Sequence, residues 1–237
     1  MTSFILKIIA MSTMFCDHFG YALFHHFSFF NYIGRIAFPI FAFQISQGFK
    51  YTKNLKNYCI RLLSFALISQ IPFSLYIHKF LSNSSSGLNI FFTLLLGLLA
   101  IIIYNYFETQ DSKEFNYKML GISYKYTLGI MFVLFVAYLG ELIHVDYGFL
   151  GIIVIFSFYL FRNNKLATAI SYILICSCKY GFNILMYGFH IEYIYLMLAT
   201  MLPIIFILLY NGKQGHKIKY LLYLFYPLHL LALYLIF

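Results

Sequence analysis

The sequence predicts an all-α, polytopic membrane protein: a helical bundle of about nine transmembrane helices (eight to ten) with its N-terminus in the cytoplasm. Three observations predict it. Only 10% of the 237 residues are charged and 62% are hydrophobic, whereas soluble domains carry about 25% charged residues to face water. Apolar runs near the spanning length of about 20 residues recur along the whole chain. Basic residues gather in alternate loops, so the formal charge of +9 marks membrane topology rather than a nucleic-acid partner. The solvent for most of the surface is membrane lipid.

The apolar runs lie near 4–24, 33–49, 58–77, 90–107, 127–142, 148–161, 167–187, 191–210 and 220–237. The first is too long for the apolar core of a cleavable signal, lacks an Ala-x-Ala site and carries Asp17-His18. The second holds Arg35 and Pro39, the third Gln70 and Pro72, and the fourth opens on Asn89 and Thr93. The fifth ends in Glu141-x-x-His144, close to Asp146; without a second such pair this reads as a hydrated rim rather than a metal site. The sixth is short enough to be tilted or re-entrant. The seventh contains Cys176 and Cys178, which read with Cys16 and Cys59 as small apolar side chains rather than metal ligands. The ninth carries Tyr226, Pro227 and His229.

The loops orient these runs. Lys50, Lys53, Lys56 and Arg61 flank the second loop; Lys113, Lys118 and Lys125 lie in the fourth, Arg162 and Lys165 in the sixth, and Lys213, Lys217 and Lys219 in the eighth. Odd-numbered loops hold little basic charge, which places the N-terminus inside and, for nine spans, the C-terminus outside. The longest polar stretch, 108–126, reads as a cytoplasmic loop, and Asn-Ser-Ser-Ser-Gly at 83–87 reads as an external turn. The whole chain, 1–237, reads as one transmembrane domain.

Ionisable groups inside a membrane cost roughly 3 kcal/mol or more at the bilayer centre, so they mark function. Asp17-His18 is the most expensive pair in the chain. The predicted topology brings His18, Arg35, Gln70, Asn89, Tyr226 and His229 towards one slab in the middle and outer half of the membrane. Simpler roles stand beside this one: Arg35 snorkelling, Asn89 capping its helix, Gln70 joining helices, His229 bonding a nearby carbonyl. Pro39 and Pro227 are expected to kink their helices. No G-x-S-x-G, P-loop, H-E-x-x-H or Rossmann glycine pattern is present, which removes the usual hydrolase, ATPase and zinc-protease readings.

Five blocks carry a resemblance: Leu6 to Gly20 around Cys16-Asp17-His18, Gly34-Arg35-Ile-Ala-Phe-Pro39, Phe65 to Phe73 around Gln70-Ile-Pro72, Asn89-Ile-Phe-Phe-Thr93, and Phe225-Tyr226-Pro227-Leu-His229. In that order, and over almost the whole chain, they resemble the TraX family. The resemblance implies a multi-pass protein of the bacterial cytoplasmic (inner) membrane, associated with acetylation of the N-terminus of conjugative pilin and distantly similar to membrane acyltransferases that depend on an intramembrane histidine. It implies a catalytic set of His18, Asp17, His229, Arg35, Tyr226 and Asn89, with His18 as general base and Asp17 orienting it. Acetyl-CoA is the implied co-substrate, held through its phosphates by Lys50, Lys53, Lys56 and Arg61, and no metal is expected. The implied acceptor is a protein N-terminus, a surface glycan or a small molecule. Gln70 and Ser74 depart from the family pattern, which often has acidic residues there. A proton-coupled transporter and a non-catalytic assembly factor are the competing classes.

Overall fold

Thr2 opens the first helix, α1 (Ser3–Phe24), by accepting the Ile5 N–H with its side chain, and His25 closes it in the left-handed conformation. The same local logic repeats along the chain. Asn54 accepts the Asn57 N–H to start α4 (Leu55–Phe80), and Asn164 accepts the Ala167 N–H to start α8 (Lys165–Tyr187); such caps satisfy backbone donors that a helix start leaves orphaned. The structure, a computed structural model, describes residues 1–81, 87–110, 118–119, 122–216 and 218–237. Most of the 83–87 turn, Lys113 and Lys217 lie outside the described residues.

The remaining helices are α2 (Phe29–Gly34), α3 (Ala37–Tyr51), α5 (Ile90–Gln110), α6 (Tyr124–Leu142), α7 (Gly148–Leu160), α9 (Ile191–Met201), α10 (Pro203–Leu208) and α11 (Lys219–Ile236). A two-residue hairpin, β1 (Lys118–Met119) with β2 (Ile122–Ser123), precedes α6. All nine predicted runs are helical. The second and eighth are interrupted, the second between α2 and α3 at Arg35–Ile36 and the eighth between α9 and α10 at Leu202. The break at Arg35 corrects the expected role of Pro39. It sits in the first turn of α3, where its missing N–H would have no partner in any case, so it starts a helix instead of kinking one. Pro227 does lie inside α11.

Among the described residues, four stretches are long and apolar enough to cross a membrane: Leu55–Phe80, Ile90–Thr109, Lys165–Tyr187 and Ile191–Leu208. Their outer faces suit lipid. On α4, Leu67, Ile68 and Ile71 are 60%, 57% and 70% exposed, an apolar stripe that water would penalise. The core lies where α5 packs on α6 and α7, α1 on α3, and α4 on α11. At one end, which carries Lys50, Lys53, Lys56, Arg162 and Lys165, residues 3 and 4 donate backbone hydrogen bonds to the carbonyls of Lys213 and Gln214. We call this the basic end.

Candidate functional site

His18 and His229 form the centre of the site. Their rings come from α1 and α11, 211 residues apart in sequence, and His18 Nδ1 lies 2.7 Å from His229 Nε2. His229 Nδ1 lies 2.8 Å from the Phe225 carbonyl, one turn back on α11. A carbonyl only accepts, so His229 Nδ1 carries its proton. Its Nε2 then accepts from His18 Nδ1–H, and His18 is left with a free lone pair at Nε2. Tyr76 fixes the other end by donating its hydroxyl to the His18 carbonyl. Helix α1 thus presents a neutral histidine in one tautomer.

The Asp17 carboxyl belongs to a different set of contacts. Adjacent helix positions diverge by about 100°, and Asp17 turns towards Asn31, which donates to its carboxylate Oδ1 at 3.1 Å and to its backbone carbonyl at 2.9 Å. Asn31 is held in turn: its Oδ1 accepts the Ser28 N–H at 2.7 Å and the Ser28 hydroxyl at 3.0 Å. Asp17 therefore does not bond the His18 ring directly; the ring's direct partner is His229. Asp17 lies against the backbone of Gly34, where a Cβ would overlap its side chain. This close approach sets Arg35, the next residue, beside the same cavity.

That cavity, about 620 Å³, opens towards the end opposite the basic one. Asp17, His18, Arg35 and Tyr226 line it, together with Asp146 and Lys179, which sequence reasoning had not assigned to the site. A second cavity, about 520 Å³, lies at the basic end. Lys7, Gln44, Arg61 and His216 line it, and both the Arg61 Nε and the Gln44 Nε2 are buried there without a partner among the described residues. Met14, Ile90 and Tyr226 line both cavities, so they form the wall between them.

Of the predicted site residues, Asp17, His18, Arg35, Tyr226 and His229 converge. Asn89 does not reach either cavity. It is fully buried, its amide donates to Ala66 O and Gln70 Oε1, and its Oδ1 accepts the Phe91 N–H. Asn89 thus caps α5, and Gln70 joins α4 to it. Of the predicted cationic patch, only Arg61 lines the basic-end cavity; Lys50, Lys53 and Lys56 are exposed outside its lining, and Lys7 stands in their place. Two signals were available for what was missed. Lys7 is a lone cation in an apolar run, and Ser28-x-x-Asn31 has helix-capping spacing.

The tautomer chain predicts a split effect. Replacing His229 with phenylalanine keeps a ring in the α1–α11 interface but removes the acceptor for His18 Nδ1–H. Proton transfer through His18 Nε2 is expected to slow roughly tenfold to a hundredfold, the size seen for partners that orient metal-bound histidines, with binding of whatever occupies the cavity changed less than about twofold. A rise in KM at constant kcat would contradict the assigned role.

A family model described as TraX protein matches residues 3–237. Among curated relatives, the "Probable fimbrial assembly protein FimC, serogroup H1" of Dichelobacter nodosus is 28% identical, over 98% of this chain and 94% of its own. No solved structure matches the chain.

Proposed function

This chain belongs to the TraX family, and from that premise we propose a multi-pass, nine-span acetyltransferase of the bacterial inner membrane that moves an acetyl group from acetyl-CoA to an amine or hydroxyl acceptor. The observation that carries the reading is the hydrogen-bonded chain from the Phe225 carbonyl through His229 to His18, which leaves a base at His18 Nε2 on the wall of a cavity. The relative named for fimbrial assembly makes the amino terminus of an appendage subunit the favoured acceptor.

With the basic end cytoplasmic, the two cavities divide the labour. Acetyl-CoA enters the basic-end cavity, where Lys7 and Arg61 meet its phosphates and Gln44 supplies a free amide donor. The acceptor enters the opposite cavity. At the wall the acceptor nitrogen attacks the thioester carbonyl, His18 Nε2 takes its proton, and the carbon–sulfur bond breaks. The departing thiolate takes a proton and leaves as coenzyme A. Tyr226, which lines both cavities, donates to the oxyanion in this reading, and Arg35 supplies positive charge on the acceptor side.

A change of Lys7 and Arg61 together to glutamine is expected to raise the KM for acetyl-CoA at least about tenfold with kcat nearly unchanged, the signature of lost uniform binding. The triple change of Lys50, Lys53 and Lys56 is expected to leave it within about twofold. Coenzyme A release assayed against acetyl-CoA concentration checks both, and the reverse pattern would return the binding site to the exposed lysines.

Two cavities towards opposite ends that share Met14, Ile90 and Tyr226 as a wall also suit alternating access, so a proton-coupled transporter is the second reading. Thiol release from acetyl-CoA separates the two, because a transporter leaves the thioester intact. A non-catalytic assembly factor would release no thiol and carry no solute.

A further inference from the structure

Asp146 is one of the ionisable groups in the outer cavity that the mechanism above does not use. It sits on the connection between α6 and α7, and that connection is pinned into the cavity. Leu88 and Val145 form a parallel bridge: the Leu88 N–H donates to the His144 carbonyl and the Asp146 N–H to the Leu88 carbonyl, each at 2.9 Å. Tyr147, the next residue, stacks on Phe38 of α3 at 3.7 Å between ring centroids. The neighbouring acid is occupied, since Glu141 accepts the Phe149 N–H at 2.8 Å and caps α7. Asp146 is not: among the described residues nothing bonds its carboxyl, which presents its surface to the cavity.

The charges around it come from every side. Asp17 and His18 approach from α1, Arg35 from the α2–α3 break, Lys179 and Tyr180 from α8, Tyr226 from α11, and Glu141, His144 and Tyr147 from its own connection. Asp146 is exposed, its open surface lying on the cavity wall. Desolvation by the surrounding cavity walls, reinforced by the Asp17 carboxylate and opposed by Arg35, pushes its carboxyl up to about 7. Being raised, it is neutral below this range and becomes an anion as the pH rises through it.

We propose that Asp146 is the proton-exchange group of the outer cavity, receiving an acceptor amine as its ammonium ion and taking one proton before the acetyl step. The inference rests on the acetyltransferase reading and names the missing half of its proton balance. The ammonium gives one proton to the Asp146 carboxylate, leaving a free amine and a neutral carboxyl. The amine attacks, His18 takes the second proton, and Asp146 returns its proton to water at the cavity mouth.

The test compares wild type with Asp146→Asn in inverted membrane vesicles loaded with a short peptide bearing a free α-amine, reading coenzyme A release against pH. An α-amine of pKa about 7.7–8.0 is roughly one-tenth unprotonated at pH 7, so the variant, which must wait for that fraction, is expected to run about tenfold slower there. The two rates should converge near pH 9, where the peptide arrives already neutral. Asp146→Glu should restore the neutral-pH rate. Parallel profiles with an active wild type overturn the role of Asp146 and leave the acetyltransferase reading standing; a wild type that releases no coenzyme A overturns both. Should neither variant fold, a hydrophobic carbodiimide, which attaches to protonated carboxyls, is expected to label wild-type Asp146 at about pH 6 and far less at about pH 8.5. Absence of that label at the lower pH overturns the proposal.

Discussion

Replacing His18 with alanine is expected to lower acetyl transfer by at least about a hundredfold, within the 10²–10⁴ range for a positioned general base, while membrane abundance stays near wild type. The structure separates the two effects. His18 is half-buried on a cavity wall, so truncation enlarges a space that is already open. The bond from Tyr76 goes to the backbone carbonyl of residue 18, which alanine keeps. His229 keeps its bond to Phe225. The chemistry loses its only base in that tautomer chain. Coenzyme A release normalised to protein content measures the effect, and a variant within about threefold of wild type would remove His18 from the mechanism.

Gly34→Ala is expected to damage both stability and activity, although the change adds a single methyl group. An alanine Cβ would overlap the Cβ and carboxylate of Asp17. Rotating the carboxylate cannot relieve the overlap with Asp17 Cβ, which is fixed to α1. The helices must separate, and overpacking of this kind costs about 1–3 kcal/mol. Because Arg35 follows Gly34 and Asn31 precedes it, separation moves both from Asp17 and the cavity, and turnover is expected to fall more than about tenfold. Adding Asp17→Gly removes the clashing side chain, so the double variant should recover thermal stability in detergent without recovering turnover. A Gly34→Ala protein as stable as wild type would contradict this packing.

Much of the architecture was legible because it is local. Long apolar runs announced the helices within a few residues, Asn89 announced the start of α5, and the alternation of basic loops divided the molecule into two ends. The breaks were harder. Helix α2 has six residues, too few for periodicity to speak, and only its capping residues signalled it. Pro39 gave a true signal with the wrong consequence, since a proline in an apolar run marks either a kink or a helix start.

The site was half legible. Residue cost pointed to Asp17, His18, Arg35 and His229, since an ionisable group in lipid needs a reason. Cost does not say who bonds to whom. The His18–His229 contact spans 211 positions, and sequence neighbours Asp17 and His18 face different partners because a helix turns them apart. Counting basic residues found the basic end and Arg61, but not Lys7, which lines the cavity there while Lys50, Lys53 and Lys56 stay outside it.

The most direct measurement uses sealed inverted vesicles with acetyl-labelled acetyl-CoA outside and an amine-bearing peptide within. If the basic end is cytoplasmic and His18 passes the acetyl group across the wall at Tyr226, label appears on the enclosed peptide and an equal amount of coenzyme A thiol appears outside, with wild type and not with His18→Ala. Label that stays in intact acetyl-CoA, equally with both proteins, would contradict the account.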